Sequence, residues 1–221
     1  MTRAVLLDAL GTLVELQPPA PRLQRLLRES GIEVSEEQAA LGFAAEIEYY
    51  LDHHLEGSDR ERLERLRDRC AEEMRRALGV PELDHPTARR AMLGALEFVP
   101  YADVLPALGE LKERGLTLVI ASNWDCSLPD WLRPTGIMDL VDAVVTSAEV
   151  GAGKPDPRVF ERALQVAGVE PDEALHAGDT VDNDVEGAAA AGVRAVLVQR
   201  DGEPPAGVEA IASLRELAAL V

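Results

Sequence analysis

Short apolar runs alternate with helical patterns along most of this sequence of 221 residues. Continuous runs rich in Val, Leu and Ala predict strands that are buried on both faces of a sheet. Five runs fit this description: Ala4–Leu7, Leu116–Ala121, Ala143–Thr146, Ala174–Ala177 and Ala195–Val198. Because such strands alternate with helices, the sequence predicts an α/β fold with a parallel sheet covered on both faces.

Helical patterns separate these strands from the second strand onward. Gly115 is a natural stop for one helix, and Asp156-Pro157 supplies an N-cap and a first-turn proline for the next. Helices are predicted over Asp103–Arg114, Arg158–Ala167, Asn183–Ala191 and Ile211–Leu220.

The segment between the first two strands, roughly a hundred residues, is far longer than one crossover needs. Two stretches, Ser35–Gln38 and Ser58–Glu61, have the capping-box pattern and open helices that run to about Leu55 and Leu78. Further helices are predicted over Pro21–Ser30 and Pro86–Leu96. We therefore predict an inserted all-helical subdomain over residues 16–95, with an α/β core formed by residues 1–15 and 96–221.

Charge and composition narrow the classes of partner. Asp and Glu number 40 against 22 Lys and Arg, which gives a net charge of −18. Nucleic acid and anionic lipid are therefore unfavourable partners, and an anionic substrate would need a local positive site. Two cysteines without metal-ligand spacing, no signal-peptide pattern and no long apolar run favour a cytoplasmic protein. We expect a monomer or homodimer that acts on a small anionic molecule, without nucleic acid or membrane partners.

Polar side chains follow four of the five predicted strands, at the strand end or in the loop beyond it. They are Asp8, Ser122–Asn123, Lys154 in a loop past the third strand, Asp179 and Asp184. Since ligands of open α/β sheets bind at the carboxyl ends of the strands, these groups are expected to converge.

This set of side chains suits phosphoryl transfer. Asp8 can attack phosphorus, and a hard cation such as Mg²⁺, held by Asp8, Asp179 and a backbone carbonyl, would offset the negative charge. Lys154, Ser122 and backbone N–H groups of the Asn123 turn would hold the phosphate oxygens.

Four segments carry a family resemblance: LLDALGTL (6–13), VIASNWD (119–125), GAGKPDP (151–157) and HAGDTVDNDVEGAAAAG (176–192). Taken in this order and spacing, they resemble the haloacid dehalogenase superfamily of hydrolases. The likeness is to members with a Rossmann-like parallel sheet and an all-helical cap inserted after the first strand.

The resemblance implies a role for each matching residue. Asp8 would be the nucleophile, and Ser122 and Lys154 would be phosphate ligands. Asp179 would bind Mg²⁺ together with Asp8 and the backbone carbonyl of Leu10, and Asp184 would help directly or through water. We interpret Asp182 as a helix cap and His176, inside the fourth strand, as structural.

Leu10 departs from the family pattern. Phosphatases of this family carry a second Asp at this position, which protonates the leaving alkoxide and then activates water. Leucine can do neither, although its carbonyl can still bind a metal. Loss of a general acid or base typically slows a reaction by about 10²–10⁴. The penalty is smallest for leaving groups that need no proton, such as those of acyl or aryl phosphates.

Three alternatives to a phosphatase arise from the same residues. The 2-haloacid dehalogenases of this family also lack the second Asp and need no metal, but Asp179 and Asp184 would repel a carboxylate substrate. The family's carbon–phosphorus bond hydrolases use a cap lysine, and residues 16–95 contain none. A phosphate-binding protein with little or no turnover is the third alternative.

Overall fold

The chain divides into two compact units, each with its own core. The structure is a computed structural model that describes residues 1–221. One unit comprises Met1–Glu15 and Val99–Val221, and the other comprises Leu16–Phe98.

The first unit is built on a six-stranded sheet. Strands of the chain are β1 (Ala4–Leu7), β2 (Val14–Leu16), β3 (Phe98–Pro100), β4 (Thr117–Ser122), β5 (Ala143–Thr146), β6 (Ala174–Gly178), β7 (Arg194–Val198) and β8 (Ala210–Ile211). The large sheet has the order β5-β4-β1-β6-β7-β8, and each of its pairings is parallel. All five predicted strands are present, and the predicted Rossmann-like α/β fold is confirmed. The short strands β2 and β3 form a separate two-stranded sheet that the sequence pattern did not predict.

Strand β1 lies in the middle of the large sheet, and the order of the strands reverses there. Leu7 is in register with Ile120 on β4 and with Ala177 on β6, so the carboxyl ends of these three strands lie side by side. In open α/β sheets such a reversal is the usual place for a ligand site. Residues that follow β1, β4 and β6 are therefore the ones to inspect for chemistry.

Helices make up most of the remaining structure. They are α1 (Pro19–Glu29), α2 (Glu36–His53), α3 (Arg60–Leu78), α4 (His85–Ala95), α5 (Val104–Glu113), α6 (Leu128–Leu132), α7 (Ser147–Val150), α8 (Pro157–Ala167) and α9 (Gly187–Ala190). The predicted capping box at Ser35 is present, but α3 is capped by Asp59, which accepts from the Arg62 N–H, rather than by Ser58. None of these helices combines the length and apolarity needed to cross a lipid bilayer.

The predicted helix over Ile211–Leu220 is wrong. Ala210–Ile211 forms β8 beside β7, and a 3₁₀ helix covers Leu214–Ala219. Leu214 and Leu217 are both buried. Their spacing of three residues matches the three residues per turn of a 3₁₀ helix, which explains the tighter winding.

The predicted helix over Asn183–Ala191 starts with a wider turn. Val181–Glu186 forms a π-helical turn, and only Gly187–Ala190 is α-helical. The Asp184 carboxylate accepts hydrogen bonds from the backbone and the hydroxyl of Thr180, four residues earlier. These bonds fold the start of the turn back on itself, and single π-helical turns are frequent at functional sites.

Glu46 is a buried acid in the core of the second unit. Only 6% of this residue is exposed, and its carboxylate forms a hydrogen bond with Cys70 on α3. Burial raises the pKa of Glu46 from 4.5 to about 7, even though the bond to Cys70 opposes the rise. Because the folded state holds this proton more tightly than the unfolded state, the stability it contributes is lost as the pH rises from about 4.5 through about 7.

We expect Glu46→Gln to remove this pH dependence. A shift from 4.5 to about 7 corresponds to about 3 kcal/mol, so the variant should exceed the wild type in free energy of unfolding by up to that amount at pH 8. Urea unfolding at pH 4.5, 6 and 8 measures the difference. Glu48→Gln, at an exposed position of the same helix, is the control and should follow the wild type at every pH. Parallel curves for wild type and Glu46→Gln would contradict the assignment.

Candidate active site

The carboxylate of Asp8 lies at the carboxyl end of β1. Its backbone N–H donates to the Ala177 carbonyl at 2.9 Å, which ties the residue to the end of β6. Ser122, the last residue of β4, donates its hydroxyl to Asp8 Oδ1 at 3.0 Å, and Lys154 Nζ donates to the same oxygen at 2.6 Å. Asp8 Oδ2 accepts no hydrogen bond from the protein. The side chain is thus fixed through one oxygen, and the other oxygen is available.

Lys154 is held in place through its backbone by Asn123. The Lys154 N–H donates to Asn123 Oδ1 at 2.6 Å, and Asn123 Nδ2 donates to the Lys154 carbonyl at 2.9 Å. Asp156 caps α8 just beyond this loop, and its side chain accepts from the Arg158 N–H. The side chain of Asn123 therefore positions the loop that carries Lys154. The sequence analysis predicts a different role for this turn, in which its backbone N–H groups bind phosphate.

The Lys154 ammonium is buried between two carboxylates. Its side chain is 2% exposed, and Nζ lies 2.6 Å from Asp8 Oδ1 and 2.5 Å from Asp184 Oδ1. Burial lowers the pKa of Lys154, but the charges of Asp8 and Asp184 outweigh burial and raise the pKa above its usual value. The lysine therefore stays charged.

Four hydrogen bonds hold the Asp184 carboxylate. Oδ1 accepts from Lys154 Nζ at 2.5 Å and from His176 Nε2 at 2.9 Å. Oδ2 accepts from the N–H and the hydroxyl of Thr180 at 3.0 and 2.7 Å. Burial would raise the pKa of Asp184, yet the hydrogen bond from His176 and the charge of Lys154 lower it well below the usual range. Asp184 is therefore ionised, and both of its oxygens are occupied.

Asp179 is the third carboxylate, and its negative charge is the least balanced by neighbouring positive groups. It directly follows β6, and its pKa is raised to about 6 by burial and then by the charges of Asp8 and Asp184. Burial also raises the pKa of Asp8; the attraction of Lys154 opposes this rise, and the repulsion of Asp184 adds to it. Three carboxylates thus face a single ammonium, and the site is short of positive charge.

The three carboxylates are close enough to share a cation. Each of Asp8, Asp179 and Asp184 offers an oxygen that lies within 4.8 Å of the other two. Gly11 makes part of this approach possible, since a Cβ there would lie 2.1 Å from Asp179 Oδ2. Gly11 also has a φ of +84°, which favours glycine. The backbone that follows Asp8 therefore packs directly against the Asp179 carboxylate.

Leu10 is exposed in the turn that follows Asp8. Its side chain is apolar and the residue is 43% exposed. The turn is closed by a bond from the Gly11 N–H to the Val14 carbonyl at 2.8 Å. Position 10 is therefore accessible, but its side chain offers neither a proton donor nor a proton acceptor.

Arg200 braces this turn from the end of β7. It donates to the Thr12 carbonyl at 2.7 Å, pairs with Asp103 at 3.0 Å and stacks 3.8 Å from the centroid of the Tyr101 ring. Arg200, Asp103 and Tyr101 border a cavity of about 630 Å³ that reaches Asp179. The cavity lies within the first unit and gives solvent access to the acid cluster.

The structure brings together the predicted residues Asp8, Ser122, Lys154, Asp179 and Asp184. Their individual roles remain predictions. The sequence interpretation missed the contribution of His176, which bonds Asp184, and that of Thr180. A histidine within an otherwise apolar strand, two residues before Gly178-Asp179, was the available signal. Asp182 lies in the first turn of the π-helical segment, where its negative charge suits the helix N-terminus, and Thr180 is the residue at the N-cap position.

The site combines a lysine-bound aspartate at the carboxyl end of a parallel strand with two further acids, an arrangement that suits a hydrolase with a carboxylate nucleophile. The chain belongs to the haloacid dehalogenase-like hydrolase family, which its sequence matches over residues 2–192.

Individual relatives and structures agree with this placement. A phosphoserine phosphatase of Thermus thermophilus is 38% identical over 148 residues, which cover 65% of this chain and 58% of that protein, a little over half its length. A phosphatase structure from Thermococcus onnurineus superposes with a TM-score of 0.69 at 26% identity, covering 99% of this chain and 97% of the other. The L-2-haloacid dehalogenase of Xanthobacter autotrophicus has the same fold, with a TM-score of 0.74 at 24% identity, covering 100% of this chain and 98% of the other.

Lys154→Met should destabilise the protein strongly. The substitution leaves two buried carboxylates without their shared ammonium, and breaking a buried ion pair typically costs about 3–5 kcal/mol. Urea unfolding at pH 8 measures the loss. The matched control is Lys112→Met, because Lys112 is the only other lysine and its pair with Asp142 is exposed. That control should cost less than about 1 kcal/mol, and equal losses in the two variants would contradict this account.

Proposed function

We propose that the protein is a Mg²⁺-dependent phosphatase that acts on a small phosphorylated metabolite through an aspartyl-phosphate intermediate. The observation that carries the proposal is the placement of Asp8. One of its oxygens is fixed by Lys154 and Ser122, the other is free, and two more acids lie beside it. The phosphatases among the relatives support the same reaction class.

Asp8 is the nucleophile in this proposal. Its free oxygen, Oδ2, attacks phosphorus, and the bond between phosphorus and the leaving oxygen breaks. Water then attacks the aspartyl phosphate, which releases inorganic phosphate and restores the carboxylate. Splitting the reaction into two displacements is the usual benefit of a covalent intermediate.

Lys154 and Ser122 hold the phosphoryl group. Both donate to Asp8 Oδ1, so a phosphorus atom next to Asp8 would carry its other oxygens within reach of the same donors. The Asn123 N–H would add a further donor, whereas the Trp124 N–H of the same turn already donates to Ser147 Oγ at 3.0 Å. Charge on these oxygens is stabilised by donors that are already in position, since the bonds of Asn123 fix the loop of Lys154.

The residues of the acid cluster fit a hard divalent cation. The donors are carboxylate oxygens, the kind that Mg²⁺ prefers, and the raised pKa of Asp179 reports an excess of negative charge that a cation would relieve. Asp8, Asp179 and the backbone carbonyl of Leu10 would hold Mg²⁺. When bound, the ion would supply positive charge to the phosphoryl oxygens. Because both oxygens of Asp184 already accept hydrogen bonds, we assign Asp184 an indirect role that includes holding Lys154.

Leu10 restricts the leaving group. An alkoxide leaves poorly without a proton, whereas a carboxylate or a phenolate leaves without one. Since Leu10 offers no proton, we propose that acyl and aryl phosphates are turned over faster than alkyl phosphates.

The inserted helical unit and the compartment complete the proposal. We assign residues 16–95 the part of the substrate-selecting cap that the family resemblance implies. Cys70 and Cys126 form no disulfide, which suits a reducing cytoplasm.

A second candidate function is hydrolysis of a small 2-haloacid. Lys154 contacts Asp8 directly, and halide leaves without a proton, so Leu10 would carry no penalty. The acid cluster disfavours this candidate, because Asp179 and Asp184 would repel the carboxylate of the substrate.

One assay separates these functions. Purified protein is incubated with Mg²⁺ and acetyl phosphate, p-nitrophenyl phosphate or glycerol phosphate, and separately with 2-chloropropionate in EDTA. The phosphatase proposal expects Mg²⁺-dependent phosphate release that disappears in Asp8→Asn. Chloride release without metal would instead establish the dehalogenase. If neither phosphate nor chloride is released but the protein still binds beryllium fluoride, the result would indicate a phosphate-binding protein without turnover.

Leu10→Asp should restore the missing acid and base. Because the position is exposed, the new carboxyl can reach solvent and substrate, and we expect glycerol phosphate hydrolysis to rise by about 10². Steady-state phosphate release measures the change. Leu10→Asn has nearly the same shape without the acid and is the control, which should gain nothing. An unchanged rate in folded Leu10→Asp would refute the explanation given for Leu10.

Gly11→Ala should weaken Mg²⁺ binding. The added Cβ would overlap the Asp179 carboxylate and displace it from the cluster. Gly115→Ala is a matched control, because Gly115 has a φ of +79° but no neighbouring atom within 4 Å of the place that a Cβ would occupy. Both variants carry a similar backbone cost of about 1–2 kcal/mol, but only Gly11→Ala should lose heat of Mg²⁺ binding in calorimetry. Equal binding in the two variants would argue against Asp179 as a ligand.

A further inference from the structure

His176 is fully buried inside the sheet. It lies on β6, in register with Leu6 on β1 and Ala195 on β7, and none of its surface is exposed. The edge of its ring contacts Phe160, with centroids 5.0 Å apart and planes at 85°. A polar ring that is buried among apolar residues is expected to have a hydrogen-bond partner.

The partner of His176 is Asp184, and the direction of the bond follows from the two groups. Nε2 lies 2.9 Å from Asp184 Oδ1, whereas Nδ1 has no partner. An ionised carboxylate only accepts hydrogen bonds, so Nε2 carries the proton and donates it. The hydrogen bond from Nε2 to Asp184 is therefore the one polar contact of the His176 side chain.

Among the donors to Asp184, His176 is the one anchored within a strand. Thr180 lies in the loop after β6, and Lys154 lies in the loop before α8. Asp184 itself belongs to a π-helical turn, and its carboxylate packs on Gly178, where a Cβ would lie 2.1 Å from Asp184 Cγ. His176 thus links the Asp184 carboxylate directly to strand β6 of the sheet.

We propose that His176 is a positioning residue: its Nε2–H holds Asp184 Oδ1 against Lys154 Nζ and thereby sets the distance of the ammonium from Asp8. Asp184 and Asp8 compete for the same ammonium, at 2.5 and 2.6 Å. If Oδ1 loses the bond from His176, the carboxylate can rotate about its contacts with Thr180, and the ammonium moves with it. His176 touches no substrate in this scheme and acts only through Asp184 and Lys154.

The position of the ammonium can be observed directly, because the chain has only two lysines. Selective ¹³C,¹⁵N-lysine labelling gives one side-chain NMR signal from Lys154 and one from Lys112. We expect His176→Leu to shift the Lys154 signal and to leave the Lys112 signal in place as an internal reference. An unshifted Lys154 signal in the folded variant would overturn the proposal.

Two further substitutions distinguish the hydrogen bond from packing. His176→Gln places an amide N–H near the position of Nε2 and should keep the wild-type Lys154 signal. His176→Asn is polar but one bond shorter, so it should behave like His176→Leu, and it serves as the second test if the leucine variant does not fold. Val196→Ala, a buried change on neighbouring β7, should leave the signal unmoved; a shift of equal size there would show that packing alone is responsible.

A kinetic measurement follows from the proposed phosphatase function and rests on it. Loss of such supporting contacts typically lowers activity about 10–100-fold, so kcat for acetyl phosphate should fall about tenfold in His176→Leu and recover in His176→Gln. A shifted Lys154 signal in a protein that releases no phosphate would support the positioning role and contradict the phosphatase. A normal kcat in His176→Leu would overturn the positioning role.

Discussion

The buried ion pairs of Lys154 are the interaction on which the rest of the site depends. Two carboxylates are brought from β1 and from the turn after β6 to one ammonium that is almost wholly removed from water. Removing charges from water is expensive, and only good geometry with additional hydrogen bonds repays the cost. The surrounding contacts supply that geometry: Asn123 fixes the backbone of Lys154, and His176 and Thr180 fix Asp184.

The arrangement leaves a defined surplus of negative charge. One ammonium satisfies Asp184 and one oxygen of Asp8, while Asp179 keeps a pKa raised to about 6. A site of this kind attracts a second positive group, and it disfavours an anion that arrives alone. In the proposed reaction this surplus would disfavour a free carboxylate, and a cation held by Asp8 and Asp179 would supply the positive charge that a phosphate needs. The charge balance, rather than any single residue, separates the two candidate chemistries.

Much of the fold and part of the site could be predicted from the sequence. Runs such as Ala4–Leu7 and Ala143–Thr146 are long enough and apolar enough to mark buried strands, and strand ends in a parallel sheet share one edge. That rule places Asp8, Ser122 and Lys154 near one another. The π-helical turn was not predicted, because the sequence pattern does not show that the Asp184 carboxylate folds back onto Thr180. The bonds of Asp184 to Lys154 and His176 join groups that only the fold brings close. The role of His176 was hidden for the same reason: a strand pattern identifies a buried residue but not the residue it will meet.

In the proposed reaction, the charged cluster and Leu10 act on different parts of the substrate, the phosphoryl group and the leaving group. The charged groups of the cluster, Lys154, Asp179 and Asp184, all lie close to Asp8, the proposed nucleophile. Leu10, in contrast, is exposed and chemically silent. In the proposed reaction the cluster would stabilise charge that develops on the phosphoryl group, whereas Leu10 would offer nothing to charge on the leaving oxygen. The intrinsic stability of the leaving anion would then set the rate of the first displacement, and selectivity would follow the acidity of the leaving group as well as its shape.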